Sequence, residues 1–180
     1  MARWLGKQAV RSFLAYSLEP YNQIEILSED PAAITSRPVV CIDDIPIDLN
    51  ISITHLDQTV AVAVTDSQCR VGIDLVRIQP ITPGFAEVWL TENEQHQLHT
   101  SNNPALNAAM NWSTREATFK ATEIENEFRP ARWSVVLADN HADCFYRGQQ
   151  QSVQLNFYQI HDELLLTVAS DGTDIVLRTL

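Results

Sequence analysis

From Asn103 to Ala121 the sequence favours one long helix, and whatever else the chain builds must pack against it. Asn103-Pro104 reads as an N-cap followed by proline in the first helical turn. Leu106, Met110, Ala117 and Phe119 to Ala121 carry the helical pattern on. On that helix Trp112, Glu116 and Lys120 fall at i, i+4 and i+8, in one column, with Arg115 beside them. Such a column reads in two ways. It is either a solvated Glu→Lys pair that steadies a helix, or one wall of a functional site. The choice turns on a stretch upstream.

There Leu49, Ile51 and Ile53 alternate with Asn50, Ser52 and Thr54, and His55 ends the run, which predicts a strand with one apolar face. Val60–Val64 and Arg70–Ile78 read as two further strands joined by a turn around Asp66-Ser67-Gln68. In the second, Val71, Ile73 and Leu75 share one face, and Gly72, Asp74 and Val76 share the other. Asp74 therefore lies in an apolar strand, where an ionised carboxylate is costly unless paired or metal-bound. Arg70 or Arg77 would serve as a partner. A hard divalent cation shared with Glu116 is the preferred reading, because such cations take carboxylate oxygens.

Three pieces stand in order: Ser52-Ile53-Thr54-His55, Gly72-Ile73-Asp74-Leu75, and Trp112-Ser113-Thr114-Arg115-Glu116-Ala117-Thr118-Phe119-Lys120. Together they resemble the 4'-phosphopantetheinyl transferase family. Its pattern is a Ser-His pair, then Gly-Ile/Val-Asp, then Trp-x-x-Lys-Glu-Ala-x-x-Lys. The resemblance implies an α+β (mixed α/β) fold of two pseudo-symmetric lobes, each an antiparallel sheet packed with a long helix. The active site would lie in the crevice between them. Gln79-Pro80-Ile81-Thr82-Pro83-Gly84 is a Pro/Gly-marked link, which gives residues 1–79 as the N-terminal lobe and 80–180 as the C-terminal lobe.

The implied activity is transfer of 4'-phosphopantetheine from coenzyme A to a serine of an acyl or peptidyl carrier protein, with Mg²⁺, releasing 3',5'-ADP. Asp74 and Glu116 are implied as metal ligands, and Asp74, Glu116 and Lys120 as the catalytic set. Glu116, or rather a water that it orients, would take the serine proton. His55 matches a histidine that binds a phosphate of coenzyme A. Ser36-Arg37-Pro38 resembles a Gly-Lys/Arg-Pro element that helps hold coenzyme A, with Ser36 in place of glycine. Thr54, Arg115 and Lys120 join Arg37 and His55 as implied coenzyme A contacts. Lys7 and Arg11 are placed towards its 3'-phosphate or adenine side.

The chain departs from the pattern at three places. Val76 stands where surfactin-type members have a second acidic residue, although the small trimeric holo-acyl-carrier-protein synthase type has Asp-Ile-Val, close to Asp74-Leu75-Val76. Arg115 stands where lysine is usual and brings a planar, bidentate cation. Glu123-Ile124-Glu125-Asn126-Glu127 replaces a glycine-containing turn, so the helix is expected to run past Lys120. These departures keep open a catalytically impaired member that binds coenzyme A or a carrier without transfer. A non-enzymatic α/β interaction protein is the remaining alternative.

Charge narrows the partners. A net charge of −11, with Lys7 and Lys120 the only lysines, argues against nucleic acid or an anionic membrane as partner. Carrier proteins are usually acidic too, so a carrier would have to meet a local patch of arginine or an apolar surface. Cys41, Cys69 and Cys144 lie far apart without a CxxC pair, which predicts neither zinc nor a disulfide framework and fits a reducing cytoplasm. No apolar run is long enough to span a membrane. Residues 3–18 read as an amphipathic helix, and within 85–98 Thr91 reads as a helix N-cap whose capping box Glu94 completes. From Trp133 onwards strand patterns follow one another with turns at Asp139-Asn140, Gly148-Gln149 and Asp171-Gly172, an antiparallel meander. With both sides of the crevice on one chain, a monomer is expected.

Overall fold

A computed structural model of the protein describes residues 1–14, 23–27, 38–138, 141–172 and 175–180. Ser36, Arg37, the preceding loop, the end of the predicted first helix and the Asp139-Asn140 turn lie outside the described residues. The chain opens with α1 (Ala2–Phe13), whose Leu5, Ala9 and Val10 form a buried stripe. Strands β1 (Ile24–Leu27), β2 (Val39–Ile42) and β3 (Ile45–Pro46) pair into a small antiparallel sheet. Its β2–β3 turn uses Asp43 and Asp44 at φ 51° and 63°, a left-handed conformation that aspartate tolerates.

Three longer strands follow, β4 (Leu49–Leu56), β5 (Thr59–Asp66) and β6 (Val71–Arg77), then helices α2 (Pro83–Trp89), α3 (Glu92–Thr100) and α4 (Pro104–Thr122). The C-terminal part adds β7 (Trp133–Ala138), β8 (His141–Tyr146), β9 (Gln149–Gln150), β10 (Gln154–Ile160), β11 (Leu164–Ser170) and β12 (Val176–Thr179). The sheets run β12-β5-β4, β10-β11-β6 and β7-β8-β9, all by antiparallel pairing.

Alternation along β5 explains the layering. Val60, Val62 and Val64 pack with Leu5, Ala9 and Val10 of α1. Ala61 and Ala63, on the opposite face, pack against Val71, Ile73 and Leu75 of β6 and Leu166 and Val168 of β11. The two central sheets thus face each other through small residues on β5. α1 covers the outer side of one, and α4 covers the outer side of the other through Ala117 and Ala121 against Ala169. This is the expected mixed α+β class, with helices on antiparallel sheets. Strand pairing crosses the Pro80 link twice, because β6 pairs with β11 and β5 with β12.

Among the described strands β6 pairs along one edge, with β11. On its other edge Ile73 N–H donates to Ser52 Oγ at 3.0 Å and Leu75 N–H to Thr54 Oγ1 at 3.2 Å. The polar face of β4 thereby satisfies backbone groups of a neighbouring strand, which burial would otherwise leave orphaned. Asn50, on the same face, holds the β5–β6 turn through Asp66 O and Cys69 O at 3.2 and 3.0 Å.

As expected, extended Thr91 starts α3 as the N-cap of the capping box, and α2 ends just before it at Trp89. One local expectation changes. α4 stops at Thr122 instead of running on. Glu123 takes the left-handed cap position (φ 49°, ψ 32°) that glycine fills most cheaply.

Candidate active site

Gly72 sets the distance between strand and helix. A Cβ there would lie 2.1 Å from Ala117 O and 2.4 Å from Ala121 N, so only glycine lets the α4 backbone lie against β6. Asp74 is two residues along the same face and meets the side chains of the same helical turns. Lys120 Nζ lies 2.8 Å from Asp74 Oδ1 and 3.6 Å from Glu116 Oε2, and donates to Ile73 O at 3.1 Å. Ile73 O is within reach because an antiparallel strand points each residue's N–H and C=O to the same edge. That edge is the one Ser52 caps. The two arginines that sequence reasoning offered Asp74 pair elsewhere. Arg70 meets Asp171 at 2.6 Å, and Arg77 meets Asp57 and, at 3.5 Å, Glu163.

Asp74 is only 5% exposed, and Glu116 is half-buried beside it. Burial pushes the Glu116 carboxyl above its ordinary 4.5, and the charge of Asp74 pushes it further. Lys120 and a hydrogen bond with Trp112 offset part of that rise, while a hydrogen bond with the Asp74 carboxyl adds to it. Trp112 is held by edge and tilted contacts with Phe85, Trp89 and Phe128, at centroid distances of 5.3, 6.3 and 5.9 Å. Beside it opens a cleft of about 550 Å³ whose lining includes Leu56, Leu75, Val76, Phe85, Ala109 and Trp112. The column Trp112–Glu116–Lys120 is thus one wall of a charged site next to an apolar cleft.

β4 runs alongside β6 in the same direction, so Thr54 abuts Leu75 and exposed His55 follows at the strand end. The Thr54 oxygen is committed to the Leu75 N–H. Lys7 and Arg11 are not brought to Asp74: they stand on α1, on the far side of the two-sheet sandwich from α4. Arg37 lies outside the described residues.

Arg115 is a correction. One residue on from Thr114 and one before Glu116, it is turned about 100° round the helix from each, and it is fully buried. Its Nη2 pairs with Glu94, and its Nη1 donates to Trp89 O at 2.6 Å. A side chain with no exposed surface cannot touch coenzyme A. Glu94, read from sequence as a helix cap, is more than that. It closes the capping box with Thr91, accepts the Val135 N–H at 2.6 Å and carries the Arg115 ion pair. The pair joins α2, α3, β7 and α4. The available signal was the scarcity of charge on α4: only Arg115, Glu116 and Lys120 are charged between Pro104 and Thr122. A helix so poor in charge is largely enclosed, and its charges need partners.

Among the described residues no group of three or more His, Cys, Asp and Glu gathers as a metal site. Asp74 and Glu116 nevertheless fit a hard divalent cation. They are two converging carboxyls in a poorly hydrated place, and the charge of one raises the pKa of the other. Water and substrate oxygens would complete such a shell.

Comparison with known proteins adds the following. The family model described as the 4'-phosphopantetheinyl transferase superfamily matches residues 70–169, the span that holds Asp74, Glu94, Arg115, Glu116 and Lys120. Among solved structures, holo-[acyl-carrier-protein] synthase of Thermotoga maritima is similar at 19% identity and a TM-score of 0.43, over 56% of this chain and 62% of that one. The chain thus spans less than two thirds of that synthase. No curated protein matches.

Proposed function

The chain belongs to the 4'-phosphopantetheinyl transferase superfamily, and from that premise we propose that it moves 4'-phosphopantetheine from coenzyme A to a serine of an acyl or peptidyl carrier protein. The serine Oγ forms a bond to the phosphorus that carries pantetheine. The bond from that phosphorus to the bridging oxygen breaks, and 3',5'-ADP leaves. The observation that carries the reading is the convergence of Asp74 and Glu116 on one ammonium, from two elements that Gly72 lets touch.

Asp74 and Glu116 would hold Mg²⁺, which supplies charge neutralisation at the pyrophosphate when bound. Lys120 adds a second cation on the same side, for phosphate oxygens. Glu116, its pKa raised by burial and by Asp74, accepts the serine proton directly or through a water that it orients. Trp112 keeps that carboxyl in place, and the apolar cleft beside it limits water around the reacting phosphate. Exposed His55, with Arg37, is the proposed contact for the phosphates of coenzyme A. Both carboxylates come from one chain, so a monomer suffices for the metal pair. No helix of the described residues is long and apolar enough to cross a membrane.

Intact mass spectrometry on a panel of apo carrier proteins tests the reading. With coenzyme A and Mg²⁺, one carrier class is expected to gain about 340 Da, a phosphopantetheine on serine. The gain should vanish with chelator. Coenzyme A binding with no gain on any carrier would instead favour the member that binds without transfer.

A further inference from the structure

Lys120 places a positive charge against the very oxygens that the proposed metal would use. Its Nζ is 2.8 Å from Asp74 Oδ1 and 3.6 Å from Glu116 Oε2. Magnesium would need those oxygens at about 2.0–2.1 Å, and its charge would stand almost where the ammonium now does. Two cations cannot share so small a carboxylate pair without strong repulsion. The third contact, to Ile73 O, fixes the ammonium at the capped edge of β6. Lys120 lies in the last turn of α4, its side chain is 30% exposed, and its unbranched stem can swing outward.

We propose that Lys120 is an internal counter-ion that a divalent cation must displace, so that metal entry and the turning of the ammonium towards the coenzyme A pyrophosphate are one event. The inference rests on the metal reading above. Its consequence is thermodynamic. The metal alone competes with Lys120 and binds weakly. Coenzyme A receives the displaced ammonium, so metal and coenzyme A each tighten the other by the same factor.

The test is Mn²⁺ binding, by calorimetry and by the electron paramagnetic resonance of free Mn²⁺, with and without coenzyme A. Wild type is compared with Lys120→Met, Lys120→Gln, Lys120→Arg and Asp74→Asn, each checked for folding by circular dichroism. Lys120→Gln keeps a donor for Ile73 O while removing the charge, which covers the case in which Lys120→Met fails to fold. Without coenzyme A, the uncharged variants are expected to bind Mn²⁺ about tenfold more tightly than wild type. The tightening that coenzyme A gives wild type should largely disappear in them. Lys120→Arg should stay as weak as wild type, and Asp74→Asn should bind no Mn²⁺. Binding that Asp74→Asn abolishes, but that is indifferent to the charge at position 120, overturns the counter-ion role and leaves the metal reading standing. No Mn²⁺ binding by any of these proteins, with or without coenzyme A, overturns both.

Discussion

On one side of α4, Arg115 and Glu94 meet out of contact with solvent, and every oxygen of Glu94 is engaged by Arg115, Thr91 or Val135. On the other side, Glu116 and Lys120 meet Asp74, with Glu116 and Lys120 partly open to solvent. The first pair is balanced in charge, one cation to one carboxylate, and is tied to four elements. The second sets two carboxyls against one ammonium, and burial first, with the charge of Asp74 second, raises the pKa of Glu116. Charge balance and a fully engaged carboxylate mark a brace, whereas a surplus of negative charge open to solvent marks a place that receives a cation. Residues adjacent in sequence serve these different ends because one helical step turns a side chain by about 100°.

The largest effect that would break this contrast belongs to the brace. Arg115→Ala leaves Glu94 buried without its cation and is expected to lower stability by about 3–5 kcal/mol, read by urea denaturation. Transfer lost with stability intact would mean that Arg115 reaches substrate after all. Next comes Asp74→Asn, which keeps the shape of the site and removes its charge. Transfer is expected to fall on the order of 10²–10³-fold, with the melting transition still cooperative. Gly72→Ala sharpens the contrast from the side of packing. Its Cβ would overlap the α4 backbone, so a loss of about 1–3 kcal/mol is expected, and transfer should fall because Glu116 and Lys120 are moved off Asp74.

The smallest effect has the opposite sign. Glu116 has a pKa raised above 4.5 in the folded protein. Its contribution to stability is therefore complete below pH 4.5 and is lost as pH rises through the raised value. Glu116→Gln imitates the protonated form. Without ligands it is expected to melt a few degrees higher than wild type at pH 7, with the gap closing as pH falls towards 4.5. A wild type that melts higher at pH 7 would show that Lys120 outweighs the burial of the carboxyl.

Alternation and capping carried much of this fold in the sequence. The faces of β4 and β6, the N-cap of α4 at Asn103 and the Thr91–Glu94 box are local patterns, and the structure has each of them. The column Trp112–Glu116–Lys120 follows from helical geometry alone. The place of Arg115 was not legible in this way. Asn111, Ser113, Thr114 and Thr118 are polar side chains, yet all are buried, because β6 and β11 pack against α4 on one side and α3, β7 and β8 on the other. Tertiary enclosure is not a property of a window of sequence. The end of α4 was misread for a related reason: Glu123 accepts a left-handed conformation that its own propensity disfavours.

The hydroxyls of Ser52 and Thr54 have a consequence for alignment. They stand two residues apart on β4 and meet N–H groups two residues apart on β6, those of Ile73 and Leu75. A slip of β4 by one residue would turn its apolar face to that buried edge, so the two hydroxyls act as a register key between strands of different sheets. Replacing both by valine would keep the β propensity while leaving two buried N–H groups without acceptors, so the damage would be expected first as lost stability. Asp74 thus sits on a strand whose alignment depends on hydroxyl groups supplied by its neighbour.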